Sequence, residues 1–392
     1  MKFLTRTIWI LSLISLCTDI GSEMLYPVMP LYLKSIGFSV VLIGMLEGVA
    51  EATIGLSKGY FGKRSDLTGR RVPFIQLGYA LSAMIRPMMT FFAHPVWVFF
   101  VRSTDRLGKG IRTGARDAML SDESTPQTKG RVFGFHRSLD TLGAVIGPSI
   151  ALLYLYFHPG AYKTMFKLAF IPGIVVILIS FLLREKRKAP KATVGSGSFL
   201  SFLSYWKESP AIYRKVAGGI LVFSLFNSSD FFLLLRMKDA GLPDENVIGV
   251  YIFFNLIFAL CSFPLGMLGD KIGLRKTFML GLFMFAIMYF GMAFKLDLIF
   301  YIFLFACYGV FGAATEGVSK AWISNLVDTK DTATAIGLFS GFQSLSLLLA
   351  SSITGLIWYN FGPMPAFLLT AGIAVSVLVY FAVMRDKPSL VP

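Results

Sequence analysis

Gly62-Lys63-Arg64-Ser65-Asp66-Leu67-Thr68-Gly69-Arg70-Arg71 returns in altered form 204 residues later, as Gly266-Met267-Leu268-Gly269-Asp270-Lys271-Ile272-Gly273-Leu274-Arg275-Lys276. Two further pairs keep nearly the same offset. Asp117-Ala118-Met119-Leu120-Ser121-Asp122 answers to Lys320-Ala321-Trp322-Ile323-Ser324-Asn325, and Phe133-Gly134-Phe135 to Ile336-Gly337-Leu338, both at 203. One short match is chance; three at a common offset mark a duplicated chain.

The duplication is set in apolar sequence. Of 392 residues, 55% are hydrophobic and 15% charged, with 38 Phe, and mean hydropathy is +0.68. Soluble domains carry about 25% charged residues. The composition excludes a disordered chain, a disulfide-stapled secreted domain and an ordinary cytosolic enzyme. Apolar runs of bilayer-crossing length fall at 8–33, 40–61, 72–92, 95–120, 132–157 and 164–184, then at 214–237, 246–268, 276–294, 297–325, 333–358 and 364–384. These predict an all-α polytopic membrane protein of twelve transmembrane helices, called spans 1–12 below, in two pseudo-symmetric six-helix bundles. The expected division is 1–184 for the N-terminal bundle, 185–213 for a linker, and 214–392 for the C-terminal bundle. The linker combines basic residues, Gly195-Ser196-Gly197-Ser198 and Tyr205-Trp206, which suits a flexible connection with a short interfacial helix.

Loop charge predicts the orientation. The 92–95 and 358–364 connections hold no Lys or Arg, whereas the other side holds Lys63, Arg64, Arg70 and Arg71, the run Arg184 to Lys191, then Lys271, Arg275 and Lys276, and finally Arg385 and Lys387. Basic loops stay in the cytoplasm, so both termini are expected inside, with a bacterial inner membrane as the location. The same bias accounts for most of the formal charge of +15, so no nucleic-acid partner is implied. Lys2, Arg6 and the apolar stretch after them lack a convincing cleavage site and read as span 1 rather than a signal peptide. Cys17, Cys261 and Cys307 form no Cys-x-x-Cys pair, and His94, His136 and His158 are far apart. Neither a metal nor another cofactor is expected.

The repeated Gly-x-x-x-Asp-x-x-Gly-Arg-Arg pattern, with its weaker copy between spans 8 and 9, resembles the loop 2–3 motif of the major facilitator superfamily. Order, spacing and helix number agree over essentially the whole chain. The resemblance implies a secondary transporter working by alternating access, with Gly62, Asp66, Gly69, Arg70, Arg71 and Gly266, Asp270, Gly273, Arg275, Lys276 as a gate that stabilises the outward-facing state. Gly143-Ala144-Val145-Ile146-Gly147-Pro148 in span 5 is similar to that superfamily's antiporter motif, although Ser149-Ile150-Ala151 replaces its further glycines. Small-residue packing with a proline kink is the other reading of Gly143, Gly147 and Pro148.

Span 4 departs most from the family pattern. At about 100° per residue, Arg102, Asp105, Arg106, Lys109, Arg112 and Arg116 share an arc of roughly 120°. Charges inside a span face a cavity and pair. Asp19 and Glu23 share a face of span 1, Glu47 and Glu51 a face of span 2, and Arg137 and Asp140 lie one turn apart on span 5. Two readings stand: an ion-pair network that holds the N-terminal bundle together, or cations left available to an anionic substrate.

Proton coupling needs a carboxylate that takes up a proton when desolvated and releases it when a cation approaches. Asp19, Glu23 and Asp140 are the candidates. Arg102, Arg106, Arg137, Asn227, Asp230, Glu316 and Gln343 are the substrate-binding candidates. Glu316 and Lys320 have the spacing of a self-paired couple on span 10.

The leading expectation is proton-coupled efflux of a small amphipathic or anionic organic compound by a monomer in the lipid bilayer. The alternative is uptake or exchange of an organic anion on the span 4 arginines. A membrane enzyme needs a nucleophile beside a positioned base; neither that arrangement nor a His-Glu-x-x-His or Walker-type loop is found. A non-transporting sensor or scaffold is the remaining class.

Overall fold

The computed structural model describes residues 4–26, 28–38, 40–185 and 201–384. The basic run 186–191, Gly195–Ser198, Arg385 and Lys387 lie outside the described residues. All regular structure among the described residues is helical.

The predicted spans are present, and several are broken. Span 1 starts at Thr5, whose hydroxyl accepts from the Ile8 N–H at 3.3 Å. It runs Arg6–Leu25, and a second helix, Val28–Ser35, follows. Span 2 is one helix, Val40–Thr68. Span 3 is Val72–Ile85, and a 3-10 turn follows over Arg86–Thr90, where Pro87 interrupts the ladder. Spans 4 and 5 are Pro95–Asp122 and Lys129–Phe157. Span 6 comprises Tyr162–Leu168 and Phe170–Ser180. A short helix, Tyr205–Glu208, precedes span 7.

Span 7 is Ala211–Ser224 and Phe231–Asp239. Between them the N–H groups of Phe226 and Asn227 both turn back to the Phe223 carbonyl. Spans 8 to 12 are Asp244–Ile272, Leu274–Met292, Leu298–Asn325, Thr332–Phe361 and Pro363–Val383. Among the described residues, eight helices are long and apolar enough to cross a membrane on length and composition alone. Spans 2, 3, 4 and 7 are not among them: 2 and 4 carry charges, while 3 and 7 are interrupted. Those four also supply charged or polar groups to the cavity described below.

The two repeat motifs perform the same local task. Gly69 (φ 65°) and Gly273 (φ 99°) both take left-handed backbone where a span ends, which glycine adopts without a Cβ penalty. Three residues earlier in each copy, the aspartate reaches across to the other bundle. Asp66 accepts from the Thr334 N–H and hydroxyl, each at 2.6 Å, at the start of span 11. Asp270 accepts from the N–H groups of Gly130 (2.8 Å) and Arg131 (3.0 Å) at the start of span 5. Helix N-termini hold free N–H groups and a partial positive charge, so each carboxylate caps a helix of the opposite lobe. Arg71 also pairs with Asp66 at 2.6 Å, and Arg131 with Asp270 at 2.7 Å. Arg70 is exposed. Arg275 instead donates to the carbonyls of Phe381 and Ala382 at the end of span 12.

Two glycine seams bring the lobes together at this basic end. Gly62 of span 2 lies on the Ala333 carbonyl and on Gly337 of span 11, and Gly266 of span 8 lies on the Gly130 carbonyl and on Gly134 of span 5. A methyl group on Gly266 meets backbone, which cannot swing aside. Gly266→Val is therefore expected to cost the closed basic end about 1–3 kcal/mol. Hydrogen exchange should show faster exchange at the Gly130 and Arg131 amides, while amides of the span 9–span 10 packing stay protected.

Candidate functional site

Span 4 carries its charges on one side because its other side must pack closely. Gly108 contacts Gly78 of span 3, Gly110 contacts Ser57 of span 2, and Gly114 contacts Gly62. The charged face therefore turns to a cavity between the lobes, built of two adjoining chambers of ≈ 490 and ≈ 540 Å³. Both are of a size that suits small organic ligands. Glu23, Tyr26, Lys109, Arg112, Ser229 and Leu347 line both.

The first chamber sets Arg86, Arg102, Arg106, Lys109 and Arg112 against Glu23, Glu51 and Asp105, among apolar groups that include Met29, Met89 and Phe166. Arg86 Nε donates to Asp105 Oδ1 at 3.1 Å, and Arg102 is 4.0 Å from the other carboxylate oxygen. Arg112 donates to the Ser82 hydroxyl at 3.0 Å and lies over the Tyr79 ring, 4.5 Å from its centroid. Lys109 is exposed to the cavity; among the described residues its ammonium makes no hydrogen bond or ion pair.

The second chamber is where the lobes meet. Asp19, Asp140 and Arg137 come from the N-terminal lobe, and Asn227, Asp230, Glu316 and Gln343 from the C-terminal lobe. With Glu23, Arg102 and Arg106 in the first chamber, all ten residues singled out as proton or substrate candidates border one cavity. The break in span 7 brings Asn227 and Asp230 to it. Asp230 accepts from the Tyr308 hydroxyl at 2.6 Å. The Asp19 carboxylate makes no hydrogen bond or ion pair among the described residues. Asp140, in contrast, accepts from the Ser15 hydroxyl and from Arg137 at 2.6 Å.

Ion pairs tie the chamber floor to the opposite lobe. Arg137 bridges Asp140 and, at 2.5 Å, Glu316 of span 10. Arg116 pairs with Asp117 at 2.9 Å, and the other Asp117 oxygen takes Lys320 of span 10 at 2.8 Å. This corrects the expectation that Glu316 and Lys320 pair with each other. Each turns to the N-terminal lobe, where an opposite charge stands within ion-pair distance, Arg137 for Glu316 and Asp117 for Lys320. Lys58 of span 2 likewise reaches Ser344 of span 11 at 2.9 Å, and Lys129 reaches the Ser324 carbonyl at 2.8 Å.

The motif residues of the gate stand at the basic end, outside the cavity. Gly143 and Gly147 lie on span 1, against the backbone of Leu16 and Ile20. Sequence reasoning passed over Arg86, Lys58, Tyr308 and the inter-lobe use of Asp117. The one available signal was the cost of a charge inside an apolar run. Gly55-Leu56-Ser57-Lys58-Gly59 has the spacing of a serine-hydrolase elbow. It lies within the continuous span 2 helix, with no strand-to-helix turn of the kind that motif requires.

Two six-helix lobes, capped onto one another by repeated aspartates and enclosing a charged cavity between them, define a two-lobed membrane transporter. The chain belongs to the Major Facilitator Superfamily, whose family model matches residues 11–257 and 237–392. It is 30% identical to an uncharacterized MFS-type transporter of Methanocaldococcus jannaschii, over 95% of this chain and 93% of that protein. It is 23% identical to the multidrug resistance protein MdtG of Klebsiella pneumoniae, over 95% of this chain and 92% of that protein. Among solved structures, the human organic anion transporter MFSD10 superposes with a TM-score of 0.78 over 96% of this chain and 99% of that one. At 15% identity that likeness concerns the fold alone.

Proposed function

We propose that this chain exports an organic anion in exchange for protons, by alternating access of two lobes comprising residues 1–184 and 214–392. The observation that carries the reading is the span 4 wall. Five cations line the first chamber against three carboxylates, and the Lys109 ammonium stands in the cavity without an ion-pair partner among the described residues. Charges at this depth are costly unless they meet a counter-charge, and a substrate anion supplies one.

On this reading the basic end, rich in lysine and arginine, faces the cytoplasm, both termini lie inside, and the present arrangement is the outward-facing one. Efflux follows from electrostatics. An inside-negative potential contributes about 2.3 kcal/mol per charge per 100 mV to the exit of an anion, whereas uptake works against that term. The similarity to a multidrug resistance protein over almost the whole chain supports the same direction. Asp19 is assigned the transported proton, because its carboxylate borders the cavity and makes no hydrogen bond or ion pair among the described residues.

The test uses vesicles containing only this chain, with a pH-sensitive dye inside and the potential clamped by potassium and valinomycin. An organic anion added outside should raise the lumenal pH as protons leave in exchange, while matched cations leave it unchanged. A fall in lumenal pH would replace exchange by symport, the uptake alternative. A response to the cations alone would sink the anion assignment, and silence with every compound would leave the sensor class standing.

A further inference from the structure

We infer that the transported anion carries an aromatic ring, which lies on the C-terminal lobe while its charge faces span 4; the inference rests on the anion reading above. The two walls of the cavity occupy repeat-related positions and have opposite chemistry. At the offset of 203, Arg102 corresponds to Phe305, Asp105 to Tyr308 and Gly108 to Phe311, while Lys109 and Arg112 correspond to Gly312 and Thr315. The charged face of span 4 is thus the aromatic face of span 10. A ligand held between them meets charge on one side and rings on the other.

The aromatic wall is ordered. Phe254 of span 8 stacks on Tyr308 with centroids 4.8 Å apart and planes at 27°. Tyr308 is nearly parallel to Phe311, at 5.5 Å and 20°. All three line the second chamber. The hydrogen bond from Tyr308 to Asp230 fixes the middle ring. A file of near-parallel rings offers a flat face at the spacing aromatic partners prefer, and stacking adds to what apolar burial supplies. An alkyl chain gains only the burial. At the junction of the two walls the Arg137 guanidinium lies over the Phe258 ring, 4.9 Å from its centroid, so cationic and aromatic surfaces are already in contact where a ring bearing an anionic group would span them.

The test is equilibrium binding to the purified full chain, by calorimetry, with four probes: 2-naphthalenesulfonate, octanesulfonate, 2-naphthylmethylammonium and 2-naphthalenemethanol. Naphthalenesulfonate should bind at least tenfold more tightly than each of the others. Phe311→Leu and Phe254→Leu should erase its advantage over octanesulfonate and leave octanesulfonate affinity unchanged, while Phe311→Tyr retains the advantage. Thermal midpoints of the unliganded variants show that each is folded. Equal affinity for the two sulfonates overturns the aromatic inference and leaves the anion reading intact. Binding of the ammonium or the alcohol as tightly as the sulfonate, or no sulfonate binding at all, overturns the anion reading and this inference with it.

Discussion

Asp117→Ala is expected to destabilise the closed basic end by about 3–5 kcal/mol, the usual cost of removing one member of a buried ion pair. Its carboxylate is fully buried and serves a cation from each lobe, Arg116 at 2.9 Å and Lys320 at 2.8 Å. Alanine leaves both uncompensated at the lobe interface. The nearest relief is separation of the lobes, which gives Lys320 access to water. Spin labels at Thr125 and Lys330, both exposed, should therefore report a longer distance, and the thermal midpoint should fall.

Lys320→Ala alone should cost less, because Asp117 keeps Arg116. The double replacement should be less harmful than the sum of the two single ones, by about 0.5–3 kcal/mol. Strict additivity would mean that the pair carries no coupling between the lobes.

Asp19→Asn is expected to abolish pH-driven transport and leave the fold intact. No hydrogen bond or ion pair among the described residues depends on its charge, so the stability change should stay within about 1 kcal/mol. A proton carrier locked in a neutral form still binds substrate but cannot return a proton. Exchange of labelled for unlabelled anion at equal pH should therefore persist, while a pH gradient should move no more anion than it does in protein-free vesicles. Asp140→Asn separates the two roles. It loosens the grip of Arg137 and Ser15, and with Arg137 the bridge to Glu316, so it should lower the thermal midpoint as well as transport. Undiminished pH-driven transport by the Asp19→Asn variant would move the proton to another carboxylate.

Which candidates stood near one another was legible for residues on a single helix. A turn advances 3.6 residues, so the face shared by Arg102, Arg106, Lys109 and Arg112 follows from numbering. The same rule misled at Glu316 and Lys320. Spacing along one helix says which two side chains can meet, and it is silent on a third group brought in by a neighbouring helix. Arg86 went unnoticed for a related reason: it stands alone in an apolar run, and only the packing of span 3 on span 4 shows that Asp105 is its partner.

By itself the sequence determined the membrane class, the duplication and the charged face of span 4, because hydropathy, repeat offset and helical phase are properties of residue order. It also marked Asp66 and Asp270 as equivalent. Tertiary structure alone decided that each caps a helix of the opposite lobe, that Asp117 and Arg137 bind across the interface, and that a cationic wall faces an aromatic one. Those contacts join residues some 140 to 270 positions apart. A buried charge needs a partner whichever helix supplies it, and only the packing of the two lobes selects among the partners that the composition provides.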